Sequence, residues 1–412
     1  MPTFRFVHTA DLHLDSPLRS LALRDASLAE RVGSATRGAL ERIVALCLAE
    51  RVDALLIAGD LFDGDQRSMK TAAFLRAQMR LLDDAGIRVF AIRGNHDAAA
   101  PVTGALSLPP NVHVFSGQGG VVEHRGVALQ GVSFAERAAP QSLLPKYRPP
   151  REGMPNVALL HTSLAGAEGH DTYAPCSVAD LMAHGADYWA LGHIHARTVH
   201  ATEPWIVMPG MPQGRAIDEA GPKSATLVTI GEAGIEAVPH PTATLEFAHV
   251  SLPLDGVEDW DRALRLALDA LQTAGAAATA PYAAVRLRLE GESSLAWRLR
   301  RDAAVFEEEL RTELTAAGGE IHLERLVLAL GGQGAAAQAG GGAGVGPVAE
   351  LEALMSEVAG DAGFRREADE HLGRMVQALP PEIRDRFGAD AADRASALEA
   401  LLKEGGLTVM AA

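Results

Sequence analysis

The first half of the chain switches repeatedly between short apolar runs and stretches with helical spacing. Phe4-Arg5-Phe6-Val7-His8-Thr9 reads as a strand. Leu40, Ile43, Val44 and Leu48 then recur on one side of a helix predicted over 34–50, and a short buried strand over 53–58 stops at Gly59. A second helix over 68–84 ends at Gly86, and a third strand over 88–92 ends at Gly94. This β-α-β-α-β rhythm calls for helices packed on a largely parallel sheet. From residue 111 the strands come faster, at 112–115, 127–132, 157–160, 188–191, 206–208 and 225–230. That spacing suggests added antiparallel strands and a second packed sheet.

The rhythm changes near residue 245. Strands over 247–254, 284–290 and 321–328 alternate with helices over 258–274 and 295–317, the pattern of a small separate α/β domain. The Gly/Ala-rich run that follows has nothing to build a core and reads as a flexible linker. Beyond it Leu351, Leu354, Met355 and Val358 fall at helical spacing, and a helical tail behind such a linker suits docking better than catalysis. The expected division is 1–240, 245–330, a linker over 331–347 and a helical docking segment over 348–412.

Composition narrows the class. A length of 412 residues fits two or three domains, and 48% hydrophobic with 22% charged residues is ordinary for a soluble globular protein. No apolar run approaches the roughly 18 residues of a membrane span, and the N-terminus lacks a signal-peptide pattern. Cys47 and Cys176 are the only cysteines, which argues against a disulfide framework and for a reducing cytoplasm. Cys47 sits in an apolar helical run and reads as core. The net charge of −16 opposes general coating of nucleic acid. It is uneven, however: residues 1–240 carry a net of −4 and residues 241–412 a net of −12.

Five clusters that carry chemistry fall at or just after predicted strands: Asp11-Leu12-His13, Gly59-Asp60-Leu61-Phe62-Asp63, Gly94-Asn95-His96-Asp97, His161-Thr162 and Gly192-His193-Ile194-His195. Strand ends are where sites assemble in open α/β sheets, so clusters distant in sequence converge there. Two divalent ions about 4 Å apart can hold and hydrolyse a phosphate ester, given a carboxylate to bridge them and imidazole, carboxylate or amide donors around it. Imidazole donors suit Mn, Fe, Zn or Ni better than Mg or Ca. Glycines beside Asp60, Asn95 and His193 permit tight turns and close backbone approach. Each motif alone has a plainer reading: Asp-x-His recurs by chance, GDxxD also caps a helix, and GNHD also makes a β-turn. Their combination, in this order and at strand ends, points to a metal site.

Other residues fall away. His8 reads as structural, and His113, His124, His170, His184 and His200 have no motif around them. Ser16 and Ser163 lack a nucleophile elbow, and no P-loop or GxGxxG is present. The basic start of the helix over 295–317 (Arg298, Arg300, Arg301) reads as a solvated face rather than a DNA contact.

The ordered set Asp11-x-His13, Gly59-Asp60-x-x-Asp63, Gly94-Asn95-His96-Asp97, His161 and Gly192-His193-x-His195 resembles the calcineurin-like metallophosphoesterases over roughly residues 1–235. The opening run from His8 to Leu18 resembles the bacterial SbcD-type DNA repair exonucleases, although Leu14-Asp15-Ser16-Pro17 stands where better-known members have Leu-Gly. The resemblance implies an α/β fold, a two-sheet β-sandwich flanked by helices, with residues 245–330 as a small α/β capping domain and a helical C-terminal tail. It implies that Asp11, His13 and His195 hold one metal, that Asp60 bridges, and that Asn95, His161 and His193 complete the second. His96 would stabilise the transition state or protonate the leaving oxygen, Asp97 would orient His96, and Asp63 would steady the bridging loop. It further implies two divalent ions, usually manganese, hydrolysing DNA phosphodiesters in line, without a covalent intermediate. The partner would be an SbcC-type coiled-coil ATPase bound through the tail, in a cytoplasmic homodimer without membrane attachment. A small-molecule phosphodiesterase or phosphatase on the same core is the alternative, favoured by the net acidity.

Overall fold

The computed structural model describes residues 3–16, 26–63, 68–99, 108–137, 139–164, 173–331, 355, 358–359, 362–379, 384 and 391–411. The chain divides into two units, Met1–Ala248 with Ala274–Ala284, and His249–Thr273 with Val285–Ala412.

The first unit holds two six-stranded mixed sheets. In one, β1 (Phe4–Thr9), β2 (Ala54–Ala58), β3 (Arg88–Ile92) and β4 (Val112–Val114) are parallel neighbours. In the other, β5 (Gly120–His124) pairs antiparallel with β6 (Val127–Gly131), and β7 (Asn156–His161), β8 (Tyr188–Gly192) and β10 (Trp205–Met208) follow in parallel. There β9 (Thr198–Thr202) closes the edge antiparallel to β10. The first sheet is extended from β1 by β11 (Ser224–Gly231) and β12 (Gly234–Pro241), both antiparallel.

Side-chain alternation explains the layers. In β2, Ala54 and Leu56 face the second sheet, where together with Phe6 and Phe90 of the first sheet they meet Leu129, Val157 and Leu159. Leu55 and Ile57 point the other way, onto α1 (Ala26–Glu50) and α2 (Met69–Asp84) through Leu40, Ile43, Leu75 and Met79. A strand covered on both faces is apolar throughout, as the buried run Ala-Leu-Leu-Ile-Ala shows. The outer face of the second sheet packs Leu160, Trp189, Leu191 and Ile206 against Leu181 of α4 (Val178–His184). The expectation of two packed sheets flanked by helices therefore holds.

The third sheet, most of whose residues fall in the second unit, has the order β13 (Leu245–Pro253), β14 (Tyr282–Glu292), β15 (Ile321–Gly331), with α5 (Trp260–Ala277) between the first two strands in sequence. Arg286 and Glu324 cross it in a two-pronged ion pair at 2.6 and 2.8 Å. The helix expected over 295–317 is two helices, α6 (Ala296–Arg301) and α7 (Ala303–Ala316). Asp302 at φ −107, ψ 25 interrupts the helix between them. Leu299, Phe306, Leu310 and Leu314 are buried on these pieces, while Trp297 is 47% exposed. Within the tail, α8 (Ala362–Ala378) packs on α9 (Ala391–Ala411). The linker expected over 331–347 lies outside the described residues apart from Gly331, as do Pro17, Leu18 and His170. No helix among the described residues is long and apolar enough to cross a membrane.

Two local expectations are corrected. The first helix begins at Ala26 rather than 34, and Cys47, fully buried, completes its apolar stripe where Leu48 was expected; Leu48 is 37% exposed. The strands β5, β9 and β12 were not foreseen. They are edge strands, and β9 and β12 are largely open to solvent, so they show no apolar run to read.

Candidate metal centre

All five clusters meet at the carboxyl ends of neighbouring strands. Asp11 and His13 follow β1, Asp60 follows β2, and Asn95 to Asp97 open the short helix α3 (Asn95–Ala99) after β3. His161 ends β7, and His193 and His195 follow β8. A backbone ladder holds the first two loops together: Asp11 N donates to Gly59 O at 3.0 Å, His13 N to Asp60 O at 3.1 Å and Leu14 N to Leu61 O at 3.0 Å. Asp11, His13, Asp60 and His193 take positive φ values of 53°, 41°, 52° and 105°. Each such non-glycine residue costs of order 1–3 kcal/mol, which the surrounding ladder must offset to hold the side chains in place. At Gly94 a Cβ would stand 2.2 Å from Asp60 Oδ1 and 2.8 Å from His161 Nε2, so only glycine lets the third loop approach.

Three overlapping groups of donor atoms result, each with all atoms within 4.8 Å: Asp11, His13 and His195; His13, Asp60 and His96; Asp60, His161 and His193. The first and third correspond to the two expected sites, and Asp60 stands between them, with Oδ2 3.9 Å from His13 Nε2 and 3.4 Å from His161 Nε2. Asn95 Oδ1 lies 3.0 Å from His161 Nε2, on the side expected for the second site. Asp11 accepts from His193 N at 2.9 and 3.2 Å, which ties the first loop to the last.

These residues fit a pair of divalent cations. Asp11, Asp60 and Asp97 are all buried at 1–2% exposure, a concentration of carboxylates that positive charge among them would stabilise. Both ring nitrogens of buried His13 lack a hydrogen-bond partner, and burial depresses its pKa to about 3, which leaves a neutral ring with a lone pair to offer. Burial alone would lower His161 too, but the charge of Asp60, its hydrogen bond and the charge of Asp11 outweigh that and push His161 up to about 9. The imidazolium is one source of such positive charge. The Ala58 carbonyl, 2.9 Å from His161 Nδ1, takes the proton on that nitrogen and aims Nε2 at the centre.

Asp63 and Asp97 exchange roles relative to the sequence expectation. His96 Nδ1 lies 2.9 Å from Asp63 Oδ1, and that hydrogen bond raises the imidazole pKa while holding the Asp63 carboxyl well below its usual range. Ser16 Oγ donates to the other oxygen of Asp63 at 2.7 Å. Asp97 instead accepts from Phe62 N at 2.9 Å and Gly94 N at 3.1 Å, bracing the second loop against the third. Burial, and next the charge of Asp60, raise Asp97 to about 6. The loop-steadying task expected of Asp63 is performed by Asp97, and the contact with His96 expected of Asp97 is made by Asp63.

Sequence reading missed Glu219 and Arg215. Glu219 Oε1 lies 3.0 Å from His195 Nδ1, which leaves Nε2 of that ring for a cation, and Glu219 also accepts from Arg215 Nη2 at 2.8 Å. The separation of 24 residues between His195 and Glu219 gives no local pattern; the only signal was a Gly/Pro-rich loop following a strand, Pro209 to Gly214. Of the histidines set aside, His8 is a buried structural residue with Nδ1 3.0 Å from Tyr188 Oη and Nε2 3.0 Å from Leu191 O.

Comparison with known proteins is consistent with this centre. Residues 4–197 match the family model for calcineurin-like phosphoesterases, and residues 247–331 match the middle domain of metallophosphoesterase YhaO. The chain is 38% identical over 232 residues to the uncharacterized metallophosphoesterase YhaO of Bacillus subtilis (strain 168), covering 55% of this chain and 57% of that protein. It is 30% identical over 215 residues to the DNA double-strand break repair protein Mre11 of Methanopyrus kandleri, covering 46% and 44%. It is 26% identical over 266 residues to a subunit of the nuclease SbcCD of Bacillus subtilis, covering 54% and 66%. The chain thus spans about half the length of the first of these curated relatives.

Proposed function

We propose, from the premise that residues 4–197 of this chain are a calcineurin-like metallophosphoesterase domain, that the protein hydrolyses DNA phosphodiester bonds as the nuclease component of a repair complex. The observation that carries the reading is the position of Asp60, grouped with His161 and His193 and with Oδ2 only 3.9 Å from Nε2 of His13 in the group of Asp11 and His195. A single carboxylate placed between two donor groups is what a two-metal phosphoesterase site requires.

In this reading Asp11, His13 and His195 hold one divalent ion, Asn95, His161 and His193 the other, and Asp60 both. The ions, manganese by preference with Fe, Zn or Ni as alternatives, would supply charge neutralisation and Lewis acidity to the ester. His96 supplies the proton chemistry. Asp63 holds its Nδ1 and favours the imidazolium, which can protonate the leaving oxygen through Nε2–H. At 31% side-chain exposure, His96 lies where a substrate reaches it. Asp97 serves by bracing the second and third loops. The choice of DNA rests on the likeness to Mre11 and to the nuclease SbcCD. The helical tail, on the same ground, docks an SbcC-type coiled-coil ATPase, and the protein acts as a cytoplasmic homodimer.

A second reading, a small-molecule phosphodiesterase, is favoured by the net of −12 over residues 241–412, which repels a polyanion. Incubating the protein and manganese with end-labelled duplex DNA and, separately, with bis-p-nitrophenyl phosphate decides between them, with Asp60→Ala as control. Cleavage of both supports the nuclease. Cleavage of the small ester alone transfers the assignment to the second reading, and cleavage of neither removes both.

A further inference from the structure

Arg215 stands beside the centre without being one of its metal donors. Its backbone N and Nε donate to Glu219 Oε2 at 2.7 and 3.3 Å, and Nη2 donates to Oε1 at 2.8 Å. That carboxylate therefore fixes one edge of the guanidinium. The other edge faces the site. Nη1 is 3.5 Å from Ser16 Oγ, and Nη2 is 3.5 Å from His195 Nδ1. Neither contact satisfies the fork. A separation of 3.5 Å is marginal for a hydrogen bond, and Nδ1 of His195 directs its proton to Glu219, so it has no lone pair for Arg215. The guanidinium thus lies between His195 on one side and the Ser16–Asp63–His96 chain on the other, with a side-chain exposure of 20%. Its charge acts on both His13 and His96.

From this placement we infer that Arg215 is a substrate-binding residue, donating from Nη1 and Nη2 to a non-bridging oxygen of the phosphoryl group at the metal centre, and that Glu219 is its positioning residue. A planar fork held rigid at one edge and uncommitted at the other suits an oxyanion, and a guanidinium holds phosphate more specifically than an ammonium does. The inference rests on the phosphoesterase reading but not on DNA as the substrate.

The test uses the full-length, manganese-loaded protein. Calorimetry measures binding of inorganic phosphate to wild type, Arg215→Gln and Arg215→Lys, with metal content and melting temperature recorded for each. The expected result is a Kd raised about tenfold or more in Arg215→Gln, the loss of one charge-assisted contact, with both metals retained. Arg215→Lys should fall between the two. KM for bis-p-nitrophenyl phosphate should rise with the phosphate Kd. An unchanged phosphate Kd overturns the inference, and so does metal loss in Arg215→Gln, which would make the residue a brace for Glu219 and His195. Should Arg215→Gln fail to fold, Arg215→Lys carries the same two criteria. If wild type hydrolyses no ester yet binds phosphate through Arg215, the functional reading fails and the binding assignment stands.

Discussion

His96 Nδ1 and Asp63 Oδ1 are 2.9 Å apart, and the contact changes both groups: the imidazole pKa rises and the carboxyl is held low. If imidazolium His96 is the proton donor, activity falls as pH rises through its pKa. Asp63→Asn removes the main group that raises that pKa. The alkaline limb of kcat/KM for bis-p-nitrophenyl phosphate should therefore move to lower pH, with the acid limb in place. An unmoved alkaline limb would assign it to another group. His96→Asn should keep both metals and lose about 100- to 1000-fold in kcat, the usual cost of one transition-state stabiliser.

Asp60 has the opposite signature. Its Oδ2 lies 3.9 Å from His13 Nε2 and 3.4 Å from His161 Nε2, so if it bridges as proposed its loss should weaken both sites. Asp60→Ala should fail to retain metal through gel filtration, read by elemental analysis. Manganese should then no longer raise its melting temperature, an effect worth about 2.7 kcal/mol at a metal concentration of 100 Kd. Full retention of two ions would remove Asp60 from the bridging position.

Gly94→Ala offers a test that leaves every donor in place. The added methyl would meet Asp60 Oδ1 at 2.2 Å and His161 Nε2 at 2.8 Å, and neither buried group has room to retreat. Metal content should fall as it does in Asp60→Ala, while the far-ultraviolet circular dichroism stays native. Retained metal and unchanged activity would show that the third loop shifts to accommodate the methyl.

Much of this centre was legible because short-range chemistry betrayed it. Asp11, His13, Asp60, Asn95, His96, His161, His193 and His195 each sit at or just beyond the end of a strand whose apolar run is plain in the sequence. What sequence could not show is which side chain reaches which across loops. Asp63 and Asp97 are equivalent on paper, each a carboxylate near a glycine turn. Only the folded loops aim Asp63 at His96 and turn Asp97 onto the amides of Phe62 and Gly94. Glu219 and Arg215 lay beyond reach for the same reason. The departure at Asp15 is also explained in three dimensions. This residue takes φ 58°, a conformation natural to glycine, and pairs its carboxylate with Arg37 and Thr71 on the two covering helices. An aspartate anchored in this way takes the place of the glycine in better-known sequences.

His161 gives the metal-free protein a stability that depends on pH with a definite sign. Its ordinary pKa is 6.5, and among Asp60 and Asp11 it rises to about 9 in the folded chain. A group raised on folding contributes stability that is fully present below 6.5 and is lost as pH rises through about 9. In chelator-treated protein the melting-temperature advantage of wild type over His161→Gln should therefore shrink steadily across that window. Manganese competes with the same proton, because a ligating imidazole must be deprotonated. Manganese affinity measured by calorimetry should accordingly rise across the window in wild type, and rise less steeply in His161→Gln. A metal-free advantage that does not vary with pH would place the proton elsewhere in the carboxylate cluster.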